Sequence, residues 1–155
     1  MPEPLAVGGP AHLRIGEAAA LAGVSARTLR YYQELDLLTP SGTTVGGARR
    51  YSDGDVARVQ RIRHLRDLVG LDLNEVGRVL AAEDRLAAIR EEWFEDQTPG
   101  HQVELLRESM AINAEVQEIV RTKMASMRDF LAGLQEKAEL YRRKLEELAQ
   151  TLTDA

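Results

Sequence analysis

Between residues 14 and 51 the apolar positions fall at helical spacing, are cut by a turn, and then resume. Ile15, Ala18, Ala19 and Ala22 share one face of a short helix that Gly23 is expected to end. Ser25 is a good N-cap for a second helix, in which Leu29 and Tyr32 face inward and Arg27, Thr28, Arg30 and Tyr31 project elsewhere. Leu37 and Leu38 close over this first core, and Thr39-Pro40 stops the helix. Gly42, Gly46 and Gly47 supply the backbone freedom of a tight loop, and Arg49 and Arg50 precede Tyr51, so residues 39–51 are predicted to form a short β-hairpin with a basic edge.

Ser52 with Asp55 has the pattern of a capping box, opening a helix with Val56, Val59, Ile62, Leu65 and Val69 inward and Arg58, Arg61 and Arg66 on its other face. Gly70 ends it, Asp72 with Glu75 offers another cap, and Val76, Val79 and Leu80 continue the apolar spacing. Two helix pairs therefore flank one wing. Residues 84–96 are expected to form a further amphipathic helix, broken at Thr98-Pro99-Gly100.

From residue 101 to 152 the pattern changes to a repeat of seven. Val103, Met110, Gln117, Met124, Leu131, Ala138, Leu145 and Leu152 form one series; Leu106, Asn113, Val120, Met127, Leu134, Tyr141 and Leu148 form the other. Thirteen of these fifteen positions are apolar or aromatic, which predicts a coiled coil. A lone helix would leave that seam in water, so a partner helix is required. Asn113 and Gln117 sit where polar residues can fix register, and Leu105, Ile112, Val116 and Ile119 widen the apolar face enough to pack on a second surface, a partner's globular domain being the candidate. The expected organisation is a flexible tail at 1–12, a mainly α winged helix-turn-helix domain at 13–82, a linker helix at 83–100 and a dimerisation coiled coil at 101–152.

Composition changes the picture in three ways. The net charge of −5 is uneven: residues 11–70 carry nine Arg and six acids, while residues 71–155 carry eleven basic and eighteen acidic residues. Only the first half suits a polyanion. The chain has no cysteine, which removes disulfides, thiolate metal sites and thiol redox sensing, and His12, His64 and His101 are scattered, so no metal or cofactor is expected. No apolar run approaches the ~20 residues of a bilayer span, and residues 1–12 lack the form of a signal peptide, so a cytoplasmic, nucleoid-associated protein without membrane contact is expected.

The stretches IGEAAALAGVSARTLRYYQELDLL, GGARRYS, DVARVQRIRHLRDL and GLDLNEVGRVL together cover residues 15–80 almost without interruption. In that order they resemble the MerR family of transcription regulators. The resemblance implies a homodimer joined by an antiparallel coiled coil, each half placing its recognition helix and wing on one half-site of a palindromic promoter. It implies that the operator lies in an overlong promoter spacer, which the regulator bends and untwists so that RNA polymerase can engage both elements. Arg27, Arg30 and Tyr31 would contact DNA from the recognition helix, Arg49 from the wing and Arg66 from the second helix pair. Thr28 and Arg50 join them as candidates by position.

Three departures stand out. Asp36 occupies a turn position where the family has Gly and which calls for positive φ; Asp tolerates this better than most residues. Ala48 replaces the usual wing Tyr, removing one aromatic contact. The segment HLRDLVGLDL is one residue longer before its Gly than the common pattern.

Phosphate contact and surface ion pairing are evenly matched readings for Arg58, Arg61 and Arg66. Trp93 and Phe94 could line an effector pocket, but packing against the coiled coil is the stronger reading. With the coiled coil reaching Leu152, any small-molecule effector is expected to bind between these helices and not in an appended domain. Enzymatic activity is not expected: there is no cysteine nucleophile, no Gly-rich phosphate loop after a strand, and the carboxylates lie mainly on solvated helices. The alternative to regulation is a sequence-tolerant architectural role in DNA packaging.

Overall fold

The computed structural model describes residues 10–154 and divides at residues 112 and 113 into two compact units. Most of the tail expected at 1–12 lies outside the described residues. Ala11 and His12 do not belong to a loose tail: the His12 and Leu13 amides both donate to the Tyr51 carbonyl at 3.0 Å, and the Tyr51 amide donates back to Leu13.

Helix α1 spans Ile15–Ala22 and buries Ala18, Ala19 and Ala22, whose small side chains allow close packing against the helix that follows the wing. It ends at Gly23, with φ 72°, and the Gly23 and Val24 amides return to the Ala20 and Ala19 carbonyls. Arg63 reaches across to donate from Nη1 to the Ala22 carbonyl at 2.9 Å, satisfying one of the acceptors this helix end exposes. Helix α2, Ala26–Glu34, starts where the Ser25 Oγ accepts from the Thr28 amide at 3.0 Å, and buries Leu29 and Tyr32. Its end depends on Asp36, which adopts φ 56° while the Leu37 amide bonds back to the Tyr32 carbonyl at 2.9 Å. The positive φ inferred from sequence is thus present on a non-glycine residue.

The wing is a hairpin of β1 (Gly42–Thr43) and β2 (Arg49–Arg50), antiparallel, with Gly42 opposite Arg50 and Thr43 opposite Arg49. The glycines do not share one role, as the sequence reading supposed. Gly47 has φ 82° at the turn, whereas Gly42 lies within β1, where a Cβ would approach the Ala11 Cβ to 2.8 Å. Its reason is space, not torsion.

Helix α3, Asp53–Arg63, opens with the expected capping box: the Asp55 amide donates to Ser52 Oγ and the Ser52 amide to Asp55 Oδ2. Asp55 is almost buried and also accepts from the Ser41 amide at 3.0 Å and the Ser41 hydroxyl at 2.8 Å. One carboxylate therefore ties the entry of the wing to the start of α3. The helix then widens into a π-helical turn, His64–Leu68. A π turn accommodates one additional residue without breaking the helix, which accounts for the surplus residue seen in HLRDLVGLDL. Leu65 within it and Leu71 beyond it are buried; Val69, expected inward, is only half-buried.

Helix α4 runs from Leu73 to Glu95 after the Asp72–Glu75 capping box. The sequence reading separated the second helix pair from a linker helix near residue 83, but here they are one continuous helix. Ala81, Ala82 and Glu83 favour helix and no Pro falls between the two halves. The Asp96 carboxylate accepts from the Thr98 amide at 2.9 Å, and Pro99 occupies the first position of α5, Pro99–Thr153, where a missing N–H costs nothing. Within the first unit Leu105 is buried, so the face expected to wait for a partner is covered there by the chain itself.

The second unit is the remainder of α5. Met124, Met127, Leu131 and Leu134 lie on one face and are each about half exposed, so an apolar seam stands open along it. Gln117 donates to Asn113 Oδ1 at 2.6 Å and accepts from Arg121 at 2.7 Å. Among the described residues no helix is long and apolar enough to cross a membrane.

Candidate nucleic-acid interface

The N-cap at Ser25 and the buried pair Leu29 and Tyr32 fix which side of α2 faces outward. That side carries Arg27, Arg30, Tyr31 and Glu34, at offsets of three, four and seven residues, and with Thr28 they line one shallow concavity. Arg27 and Arg30 are exposed and have no hydrogen-bond or ion-pair partner among the described residues. Tyr31 leaves 47% of its surface exposed, unusual for a ring beside a core and suited to packing on a sugar or base edge. Thr28 is half-buried and its Oγ1 lies 2.9 Å from Ser25 Oγ, so its hydroxyl is shared with the helix cap.

Glu34 was not among the residues singled out from sequence, although its spacing from Arg30 and Tyr31 was the available signal. A carboxylate on such a face repels phosphate but can accept from a cytosine amino group.

The wing carries the next cation. Arg49 is exposed, and its Nη1 donates to Gln33 Oε1 at 2.5 Å. The Gln33 Nε2 donates in turn to the Tyr51 hydroxyl at 2.5 Å, and Tyr51 itself is fully buried. The wing arginine is therefore held to α2 through an amide anchored in the core. Gln33 was also missed by sequence reasoning, because nothing local marks a contact across sixteen residues. Arg50, half-buried, donates to the Arg49 carbonyl at 3.3 Å.

The arginines of α3 divide differently. Arg58 makes a two-pronged pair with Asp84, at 2.8 and 3.0 Å, and donates from Nε to the Leu37 carbonyl at 2.6 Å. Arg61 pairs with Glu83 at 2.5 Å. For these two the ion-pairing reading holds. Arg66 sits in the π turn, exposed and without a partner among the described residues.

Trp93 is half-buried and Phe94 is 69% exposed near the end of α4. Close by in sequence, Arg85 joins α4 to the start of α5: it contacts Glu108 at 2.6 and 2.9 Å and Glu92 at 2.5 Å. Hydrogen bonding from Arg85 holds the Glu108 carboxyl below the usual range, and the same pairs push the Arg85 guanidinium up. The Asp96 carboxyl is lowered by the hydrogen bond from the Thr98 amide.

Residues 13–83 match the family model for MerR HTH family regulatory protein. An HTH-type transcriptional regulator of Pseudomonas aeruginosa, PA4778, is 40% identical over 77 residues, covering 49% of this chain and 58% of that protein. The HTH-type transcriptional activator mta of Bacillus subtilis is 31% identical over 150 residues, covering 91% of this chain and 52% of the activator. The chain thus spans a little over half the length of these curated relatives. The crystal structure of a MerR-family transcriptional regulator from Listeria monocytogenes shares the fold, with a TM-score of 0.56 at 23% identity over 92% of this chain and 96% of that one.

The fold and the exposed basic face together define a winged helix-turn-helix protein. Residues 13–83 form a helix-turn-helix domain of the MerR family, and the relatives named above are transcriptional regulators.

Proposed function

We propose that the protein is a dimeric DNA-binding transcription regulator acting on promoter DNA in the cytoplasm, at the nucleoid. The observation that carries this reading is the grouping of uncompensated Arg27 and Arg30 with exposed Tyr31 on α2, next to a wing whose Arg49 is tethered to that same helix. Cations without acidic partners on a rigid helix can release counterions from phosphate, while an adjacent wing adds backbone contacts.

In this proposal Thr28, Arg50 and Arg66 add further contacts to the DNA backbone. A second copy covers the seam of Val103, Leu106, Met110, Asn113, Gln117, Val120, Met124, Met127, Leu131 and Leu134 in an antiparallel coiled coil. Two-fold symmetry then requires a palindromic operator. Bending and untwisting of that operator let RNA polymerase engage the promoter, with deformation energy offset by the additional contacts. If a small effector takes part, Trp93 and Phe94 are the residues we assign to its pocket.

The test is a gel shift with the protein's own promoter region and excess random-sequence competitor. The proposal expects a salt-sensitive complex that survives competition and has the footprint of a dimer. Equal affinity for all sequences would replace regulation with an architectural role, and no complex at low salt would dismiss DNA binding altogether.

A further inference from the structure

Three arginines elsewhere in the first unit are closely matched with carboxylates: Arg58 with Asp84, Arg61 with Glu83, Arg85 with Glu108 and Glu92. Arg49 is held in place too, but by a neutral group. Its partner is the Gln33 amide oxygen at 2.5 Å, and arginine can only donate, so the amide must turn its Nε2 the other way, toward the Tyr51 hydroxyl. Tyr51 has no exposed surface and its backbone pairs with Leu13, so the far end of this chain of bonds is fixed in the core. Gln33 stands on the half-buried flank of α2, outside the face formed by Arg27, Arg30 and Tyr31.

We propose that Gln33 is a positioning residue for DNA binding: it orders Arg49 of the wing relative to α2 while leaving the guanidinium charge uncancelled for a phosphate. This rests on the DNA-binding reading above. A carboxylate at the same position would hold the arginine as firmly, but it would neutralise the charge before DNA arrives. An apolar residue would keep the charge but release the side chain to its full rotamer freedom, which binding would then have to restrict. An amide meets both requirements.

The experiment measures affinity for the promoter fragment across a series of salt concentrations by fluorescence anisotropy, with folding followed by circular dichroism. The near-isosteric Gln33→Glu should keep the wild-type thermal midpoint, weaken binding several-fold at low salt, and lower the slope of log K against log salt by about 0.9, the value for one phosphate. Gln33→Ala should weaken binding several-fold with the slope unchanged, because the charge remains. In an Arg49→Ala background, Gln33→Glu should have little further effect.

Wild-type affinity and slope in Gln33→Glu would overturn the proposal, as would an equal loss in the Arg49→Ala background, which would mean general repulsion by the added acid. If the wild-type chain itself bound no DNA, the DNA-binding reading would fall first, and that outcome is distinct from both.

Discussion

Gly23 lies under the Arg63 guanidinium so closely that a Cβ at position 23 would come within 2.4 Å of Nη1. The same residue has φ 72°, and the same guanidinium caps the Ala22 carbonyl. The turn between α1 and α2 is thus held from outside by a side chain forty residues further on. Gly23→Ala should destabilise the protein by about 2 kcal/mol or more, combining the left-handed torsion with displacement of a charged hydrogen bond. Urea unfolding followed by circular dichroism checks this; a loss of only about 1 kcal/mol, the torsional part alone, would mean that Arg63 moves aside freely, and an unchanged midpoint would contradict both contributions.

Asp36 presents the opposite case, a left-handed residue that is not glycine. Asp36→Gly should stabilise by roughly 0.5–1 kcal/mol, the torsional gain being partly offset by the greater freedom of glycine in the unfolded chain. A lower urea midpoint in the variant would show that the aspartate contributes more than its torsion costs.

Asp55 accepts hydrogen bonds from Ser41 and Ser52 while nearly buried. Asp55→Ala leaves those donors unmatched and should cost about 2–3 kcal/mol, with faster amide exchange at the base of the wing. Protection at Ser41 and Ser52 equal to wild type would contradict this coupling.

The fold was legible where its determinants are local. Ser25, Ser52 with Asp55, and Asp72 with Glu75 cap helices as expected because a cap needs only residues three apart. Long-range devices left no such mark: Gln33 meets Arg49, and Arg63 meets Ala22, only after the chain has folded. The surplus residue near His64 could be counted but not given a shape, since a loop or a π turn would absorb it equally. On the candidate face, Arg27, Arg30 and Tyr31 followed from helical spacing. Glu34 shares that spacing, but a carboxylate repels phosphate and so its charge carries no sequence signal for such a face.

The carboxyls of Glu108 and Asp96 titrate below their ordinary values, Glu108 because Arg85 bonds to it and Asp96 because the Thr98 amide does. A depressed folded-state value contributes stability that is fully present above the unfolded carboxylate range, near pH 4–4.5, and is lost as pH falls through the folded value. The stability advantage of wild type over Glu108→Gln should therefore be constant from neutral pH down to about 5 and shrink below about 4.5. Urea midpoints of both proteins across that range test it; a gap independent of pH would remove the Arg85 pair from the explanation.

The central claim is that the exposed face of α2 grips DNA through Arg27 and Arg30. The most direct measurement is the salt dependence of promoter binding by wild type, Arg27→Ala and Arg30→Ala, with circular dichroism confirming that each variant folds. Each substitution should weaken binding at least tenfold, about 1.4 kcal/mol, and an arginine that meets phosphate should also flatten the salt slope by about one unit. Wild-type affinity and slope in both folded variants would contradict the account.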